Sequence, residues 1–195
     1  MTSPLQQMFA DARSLVEWLE SDADSLATIE AMAGEMTSVL SEGGRLLSCG
    51  NGGSLCDAAH FAEELSGRYR DDRPALSALA LTDAGHMSCV ANDYGYEQVF
   101  ARGVEAQGRQ GDVLLAFTTS GNSPNVLAAM RVARDRGLRV FALLGKGGGE
   151  AVALADRAIV VPSADTGRIQ EIHIKVVHAL IELIERRLFP TNYEG

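Results

Sequence analysis

The chain has 195 residues and a formal net charge of −9. A chain of that length buries most of the surface it exposes when unfolded, so a single domain needs no disulfide or metal to hold its core. The acidic balance excludes nucleic acid as a bulk partner, because phosphate backbones are held by clustered Lys and Arg; it is compatible with one small anion held by backbone amides. Cys49, Cys56 and Cys89 are odd in number and lack C-x-x-C spacing, so a reduced cytosol is expected rather than a disulfide framework. The N-terminal stretch lacks the pattern of a signal peptide. No run reaches the roughly 20 apolar residues that span a membrane, so no membrane is expected.

Residues 5–42 read as two helices. Leu5, Met8, Phe9, Ala12, Leu15, Val16 and Leu19 recur at helical spacing, as do Leu26, Ile29, Met32, Ala33, Met36, Val39 and Leu40. Between them Ser21 to Ser25 is a polar break, with Asp22, Asp24 and Ser25 as candidate N-caps, and Gly43-Gly44 stops the second helix. Short apolar runs then alternate with helical stretches: Arg45–Cys49, Ala75–Leu81, Val113–Phe117, Val140–Leu144 and Ala158–Val161. They are bounded by Gly, Asp, Ser or Pro and mostly do not alternate, which predicts strands buried on both faces of a parallel sheet. The expected fold is α/β: a doubly wound, five-stranded parallel sheet flanked by helices, flavodoxin-like, in one domain over 1–195. Residues 167–188 form a last, long helix that is apolar nearly all round, from Ile169 and Ile172 to Leu183 and Ile184. Such a helix is covered on several sides, by another subunit or by the two N-terminal helices.

Two loops follow predicted strands: Cys49-Gly50-Asn51-Gly52-Gly53-Ser54 and Thr118-Thr119-Ser120-Gly121-Asn122-Ser123. Ligands of open α/β sheets bind beyond the carboxyl ends of strands. Glycine brings backbone N–H groups close to a ligand, hydroxyls add donors, and the helix behind each loop offers its positive end. Neither loop is a nucleotide motif: Leu55 replaces the third Gly of a dinucleotide fingerprint, and Gly145-Lys146 is followed by Gly147 rather than Ser or Thr. A phosphate group is the expected ligand. Behind the first loop, His60 and Glu64 stand at i, i+4 on one helix face, able to share a metal or to act as a base and its partner. The last helix carries Gln170, His173 and His178; His178 shares a strip with Glu171, Lys175 and Glu182, a pattern that also fits a merely solvated face.

The run Cys49-Gly50-Asn51-Gly52-Gly53-Ser54 with His60-Phe61-Ala62-Glu63-Glu64-Leu65 behind it resembles the SIS (sugar isomerase) family, and within it the bacterial phosphoheptose isomerases. The likeness continues through Ala91-Asn92-Asp93, Gly111 to Leu115, Thr119 to Ser123 and Arg168 to His173. It implies interconversion of sedoheptulose 7-phosphate and D-glycero-D-manno-heptose 7-phosphate through an enediol, the first step of nucleotide-activated heptose biosynthesis of the kind that supplies lipopolysaccharide. It also implies an acid/base pair, Glu64 and His178; a zinc site of His60, Glu64, Gln170 and His178; and substrate contacts from Asn51, Gly52, Gly53, Ser54, Glu64, Asn92, Asp93, Thr118, Thr119, Ser120, Ser123 and Gln170. Thr118 stands where Ser is usual, keeping the hydroxyl, and Leu55 where some members have His. A cytoplasmic homotetramer is implied, with residues 1–43 used in oligomerisation. Gln170 and His178 are eight residues apart on one helix, about 12 Å at about 1.5 Å per residue, so active sites between subunits are expected. Two other readings share the fold: a non-catalytic SIS scaffold for the replication initiator, whose members generally lack the acid/base pair, and a sugar-phosphate sensor, which usually accompanies a DNA-binding domain.

Overall fold

The computed structural model describes residues 3–194. Helix α1 (Pro4–Ser21) starts at a capping box, in which Ser3 and Gln6 exchange side chain-to-backbone hydrogen bonds, with Pro4 in the first turn. Helix α2 (Ala23–Ser41) follows after a single residue, Asp22, whose carboxylate accepts from the Ser25 N–H at 3.0 Å. Of the three candidate caps in the polar break, Asp22 is the one used, because it alone is extended at the junction of the two helices.

Strands β1 (Leu46–Gly50), β2 (Ala78–Ala80), β3 (Val113–Thr118), β4 (Arg139–Leu144) and β5 (Arg157–Val160) form one parallel sheet in the order β2-β1-β3-β4-β5. The intervening helices are α3 (Gly53–Ser66), α4 (Ala84–Tyr94), α5 (Val99–Gln107), α6 (Pro124–Asp135) and the short α7 (Ala151–Leu154); the long α8 (Thr166–Leu188) follows β5, and a single turn over Pro190–Tyr193 comes after it. The five expected strands are all present. β2 is much shorter than the apolar run 75–81 suggests: it is an edge strand, paired only with β1 and half-exposed, and the residues before it run as coil.

Successive strand residues face opposite cores, as the pleat requires. Leu46, Val113, Leu115, Phe117, Phe141 and Leu143 pack with α1, α2, α3 and α8; Leu47, Leu114, Ala116, Val140 and Ala142 pack with α5 and α6. Much of the apolar girth of α8 is covered within the chain, since Ile29, Met32 and Met36 of α2 join Val176, Val177, Leu180 and Ile184 in one cluster. His173 belongs to this core, fully buried with Nε2 donating to the Leu144 carbonyl at 3.1 Å. Among the described residues no helix is long and apolar enough to cross a membrane. All three cysteines are free, and burial pushes the Cys49 thiol up to about 12.

Candidate active site

The strand order reverses between β1 and β3, which lie side by side with Gly50 opposite Phe117. That switch point leaves a crevice at the carboxyl ends of the two strands, and both expected ligand loops open there. The first loop enters α3 at Gly52 and Gly53. The carboxamide of Gln170 packs directly over Gly53, where a Cβ would lie 2.6 Å from Oε1 and would push the Gln170 side chain aside. Gln170 donates from Nε2 to the Ser54 hydroxyl at 3.3 Å.

The second loop is organised by Thr118, the last residue of β3 and almost fully buried. Its Oγ1 accepts from the Gly121 N–H at 3.2 Å and lies 3.2 Å from the Ser123 hydroxyl and 3.5 Å from that of Ser120. Gly121 has φ +67° and would place a Cβ 1.9 Å from the Gly148 carbonyl oxygen, so no other residue fits there. Ser123 then stands at the N-cap position of α6 with its hydroxyl not used by the helix, and Pro124 is in the first turn. The result is a hydroxyl-lined turn at the positive end of a three-turn helix, suited to a phosphate.

Asn125, absent from the sequence-based expectations, joins the two loops. Its carboxamide and that of Asn51 each donate to the other at 2.8 Å, and Tyr96 adds its hydroxyl to Asn51 Oδ1 at 3.1 Å. Asn125 also accepts from the Val126 N–H at 3.0 Å. Tyr96 stands just beyond α4, which ends with Asn92 and Asp93 exposed near its C-terminus; Asn92 donates to Asp93 at 2.7 Å.

Helices α3 and α8 bring the chemistry-bearing groups together. His60 and His178 face each other Nε2 to Nε2 at 3.0 Å, and Glu64 Oε1 lies 3.4 Å from His60 Nε2. One donor atom from each of His60, Glu64 and His178 falls within 4.8 Å of the others. The solvated-face reading of His178 is thereby set aside: it is half-buried, with the Tyr69 ring 5.9 Å away, centroid to centroid. Burial lowers the pKa of His178, as do the neighbouring His60 and Lys175, while Glu64 opposes them. The neutral imidazole so favoured offers one nitrogen to a metal and keeps an N–H on the other as a proton donor. Asp57, one turn before His60, is raised to about 6 by burial, with His60 pulling the other way.

The donor set fits a divalent metal. Ions with nitrogen and oxygen ligands at about 2.0–2.1 Å in a tetrahedron separate neighbouring donors by about 3.3 Å, close to the separations here. Gln170 stands apart from the three within one chain: it precedes His178 by eight residues on α8, and its amide is at Ser54, at the other end of the shared helix face.

A five-stranded parallel sheet with a hydroxyl-lined turn at its switch point is the arrangement of a SIS-domain protein, and residues 7–145 match the family model described as the SIS domain. The phosphoheptose isomerase of Tolumonas auensis is 50% identical over 184 residues, covering 94% of this chain and 95% of that protein. The structure of phosphoheptose isomerase GmhA from Neisseria gonorrhoeae superposes with a TM-score of 0.86 at 39% identity, over 93% of this chain and 96% of that one. A phosphoheptose isomerase from Francisella tularensis superposes with a TM-score of 0.87 at 36% identity, over 95% and 100%. The chain belongs to the phosphoheptose isomerase family.

Proposed function

We infer that the protein is an aldose–ketose isomerase that interconverts sedoheptulose 7-phosphate and D-glycero-D-manno-heptose 7-phosphate. The observation that carries this is the meeting of His60, Glu64 and His178 between α3 and α8, two helices whose starts hold Ser54 and Gln170 beside the crevice of the Thr118–Ser123 anion turn; the distance along the helices is closed by a neighbouring subunit. The relatives' names support it over a scaffold or a sensor.

The phosphate is held by the hydroxyls of Thr118, Thr119, Ser120 and Ser123 and by the start of α6. The sugar runs along Asn51 to Ser54, with Asn92, Asp93 and Gln170 as further contacts. Glu64 removes the proton from C1; that electron pair forms the C1–C2 double bond, and the C2 carbonyl oxygen takes a proton from His178. The resulting enediol collapses the other way: His178 takes the proton from the C1 hydroxyl, and Glu64 returns its proton to C2. Each group is restored, and no atom enters or leaves.

His60, Glu64 and His178 would hold the metal, zinc by their chemistry, with Gln170 of a neighbouring subunit as the fourth ligand. When bound, the ion polarises the carbonyl as a Lewis acid. The two oxygens of Glu64 divide the work: Oε1 faces His60, and Oε2, without a partner among the described residues, handles the carbon-bound proton. A cytoplasmic homotetramer is the assembly we propose. Apolar grooves between α1 and α8, lined by Phe9, Val16 and Ile174, and where the α1–α2 junction meets α8, lined by Leu19, Leu26 and Leu183, support it.

The test is turnover of sedoheptulose 7-phosphate by purified protein, with and without added zinc. Conversion to the aldose phosphate is expected. Binding without turnover in any metal would transfer the reading to a scaffold or sensor.

A further inference from the structure

The coil between α3 and β2 carries a charged side chain that the expected chemistry does not use. Arg73 is buried, its side chain 1% exposed, and so is its partner Glu185 at 2%. Arg73 Nε donates to Glu185 Oε1 at 2.7 Å. Nη2 donates to the backbone carbonyl of Glu64 at 2.7 Å, and Nη1 to the carbonyls of Leu65 and Gly67 at 2.8 and 2.9 Å. These carbonyls lie in or just past the last turn of α3, where an α-helix leaves its acceptors unpaired. On the other side, Glu185 is fixed by the Tyr193 hydroxyl, which donates to Oε2 at 2.8 Å. Glu185 follows His178 by seven residues, two turns along the same face of α8.

We propose that Arg73, paired with Glu185, is a positioning residue for the isomerisation: it ties α3 at the carbonyl of Glu64 to α8 two turns beyond His178, and so sets the spacing of base and acid. This rests on the isomerase reading of the site. A guanidinium suits the task because its donors are spread over a rigid planar fork, so one side chain spans several carbonyls and a carboxylate at once. Lysine, with its donors on one atom, cannot. General stability does not account for the arrangement equally well, because a buried ion pair can often be replaced by apolar residues of similar volume without loss of stability. What such a replacement removes is the fixed link between the two helices.

The test is the double variant Arg73→Met/Glu185→Leu, which removes the pair without leaving a buried charge alone, beside Arg73→Lys and the unaltered protein. Steady-state kinetics on sedoheptulose 7-phosphate and the thermal unfolding midpoint are measured for each. The double variant is expected to unfold near the wild-type midpoint, with kcat lowered about a hundredfold, as a displacement of about 1 Å between reacting groups causes, and with KM within about threefold. Wild-type kcat in the folded double variant overturns the proposal, as does a change confined to KM. Should the double variant not fold, Arg73→Lys decides: kcat lowered about tenfold or more at unchanged KM upholds the link, and wild-type kcat overturns it. An unaltered protein that does not turn over the sugar phosphate rejects the isomerase reading and this proposal with it, whereas normal turnover beside an unimpaired double variant rejects only this proposal.

Discussion

Asn51 and Asn125 exchange two carboxamide hydrogen bonds, both 2.8 Å long, across the switch point of the sheet. The pair locks the first loop to the helix behind the second, and it engages the Asn51 side chain within the chain. Asn125→Ala leaves the Asn51 amide without this partner in a half-buried place, a loss of about 1–3 kcal/mol. We expect a lower unfolding midpoint and a KM for the sugar phosphate raised about tenfold, with kcat less affected, since phosphate grip acts on ground and transition state alike. Asn125→Asp adds a negative charge beneath the turn and should raise KM further. An Asp variant that binds better than the Ala variant would count against an anion at this turn.

Glu64 is the carbon base in the proposed mechanism. Glu64→Gln keeps the size of the side chain and removes its basicity, so kcat should fall by about 10²–10⁴ while KM changes little. The measurement that isolates the role is exchange of the C1 hydrogen with solvent deuterium, followed by NMR. Exchange should vanish in Glu64→Gln. It should persist, with slow overall conversion, in His178→Gln, where the carbon step survives better than the oxygen step. Exchange at the wild-type rate in Glu64→Gln would remove Glu64 from the carbon step.

The Nε2–Nε2 approach of His60 and His178 at 3.0 Å is a contact that one shared proton or one metal ion fills. Zinc titrated into stripped protein should bind at one ion per chain. His60→Ala and His178→Ala should each weaken binding by at least about tenfold, since each removes a direct ligand. Treatment with a chelator should lower turnover, and zinc should restore it. Equal zinc affinity in His60→Ala and the unaltered protein would place the metal elsewhere.

Most of this site was legible because its chemistry is local. Glycine and hydroxyl residues after a buried apolar run mark a loop at the end of a central strand, and His60 and Glu64 share a face by spacing alone. The residues that went unseen act across long stretches of chain: Asn125 meets Asn51 over 74 residues, and Arg73 meets Glu185 over 112. No spacing rule connects such pairs. The short β2 was overread because an apolar run does not reveal that its strand lies at the edge of the sheet, paired on one side only. Periodicity also could not apportion the apolar girth of α8 between neighbouring subunits and α2, which takes a large share of it within the chain. His173 and His178 lie on one helix and look alike in sequence; the first meets the Leu144 carbonyl in the core and the second meets His60.

That difference makes His173 a source of acid sensitivity. Burial lowers its pKa from 6.5 to about 4, and the hydrogen bond to Leu144 only partly opposes this. Nε2–H is already used, and Nδ1 is buried without an acceptor, so a second proton has nowhere to be satisfied. The folded protein therefore keeps this histidine neutral, while the unfolded chain takes up a proton below its ordinary pKa. The contribution to stability is complete above pH 6.5 and is lost as the pH falls from there toward 4; at about 1.4 kcal/mol per unit it amounts to about 3 kcal/mol. His173→Gln keeps an N–H for the Leu144 carbonyl and cannot take up the proton. Chemical unfolding at several pH values should show the variant somewhat less stable than wild type at neutral pH and losing less stability between pH 6.5 and pH 4. Parallel pH profiles for the two proteins would show that His173 does not carry the linkage.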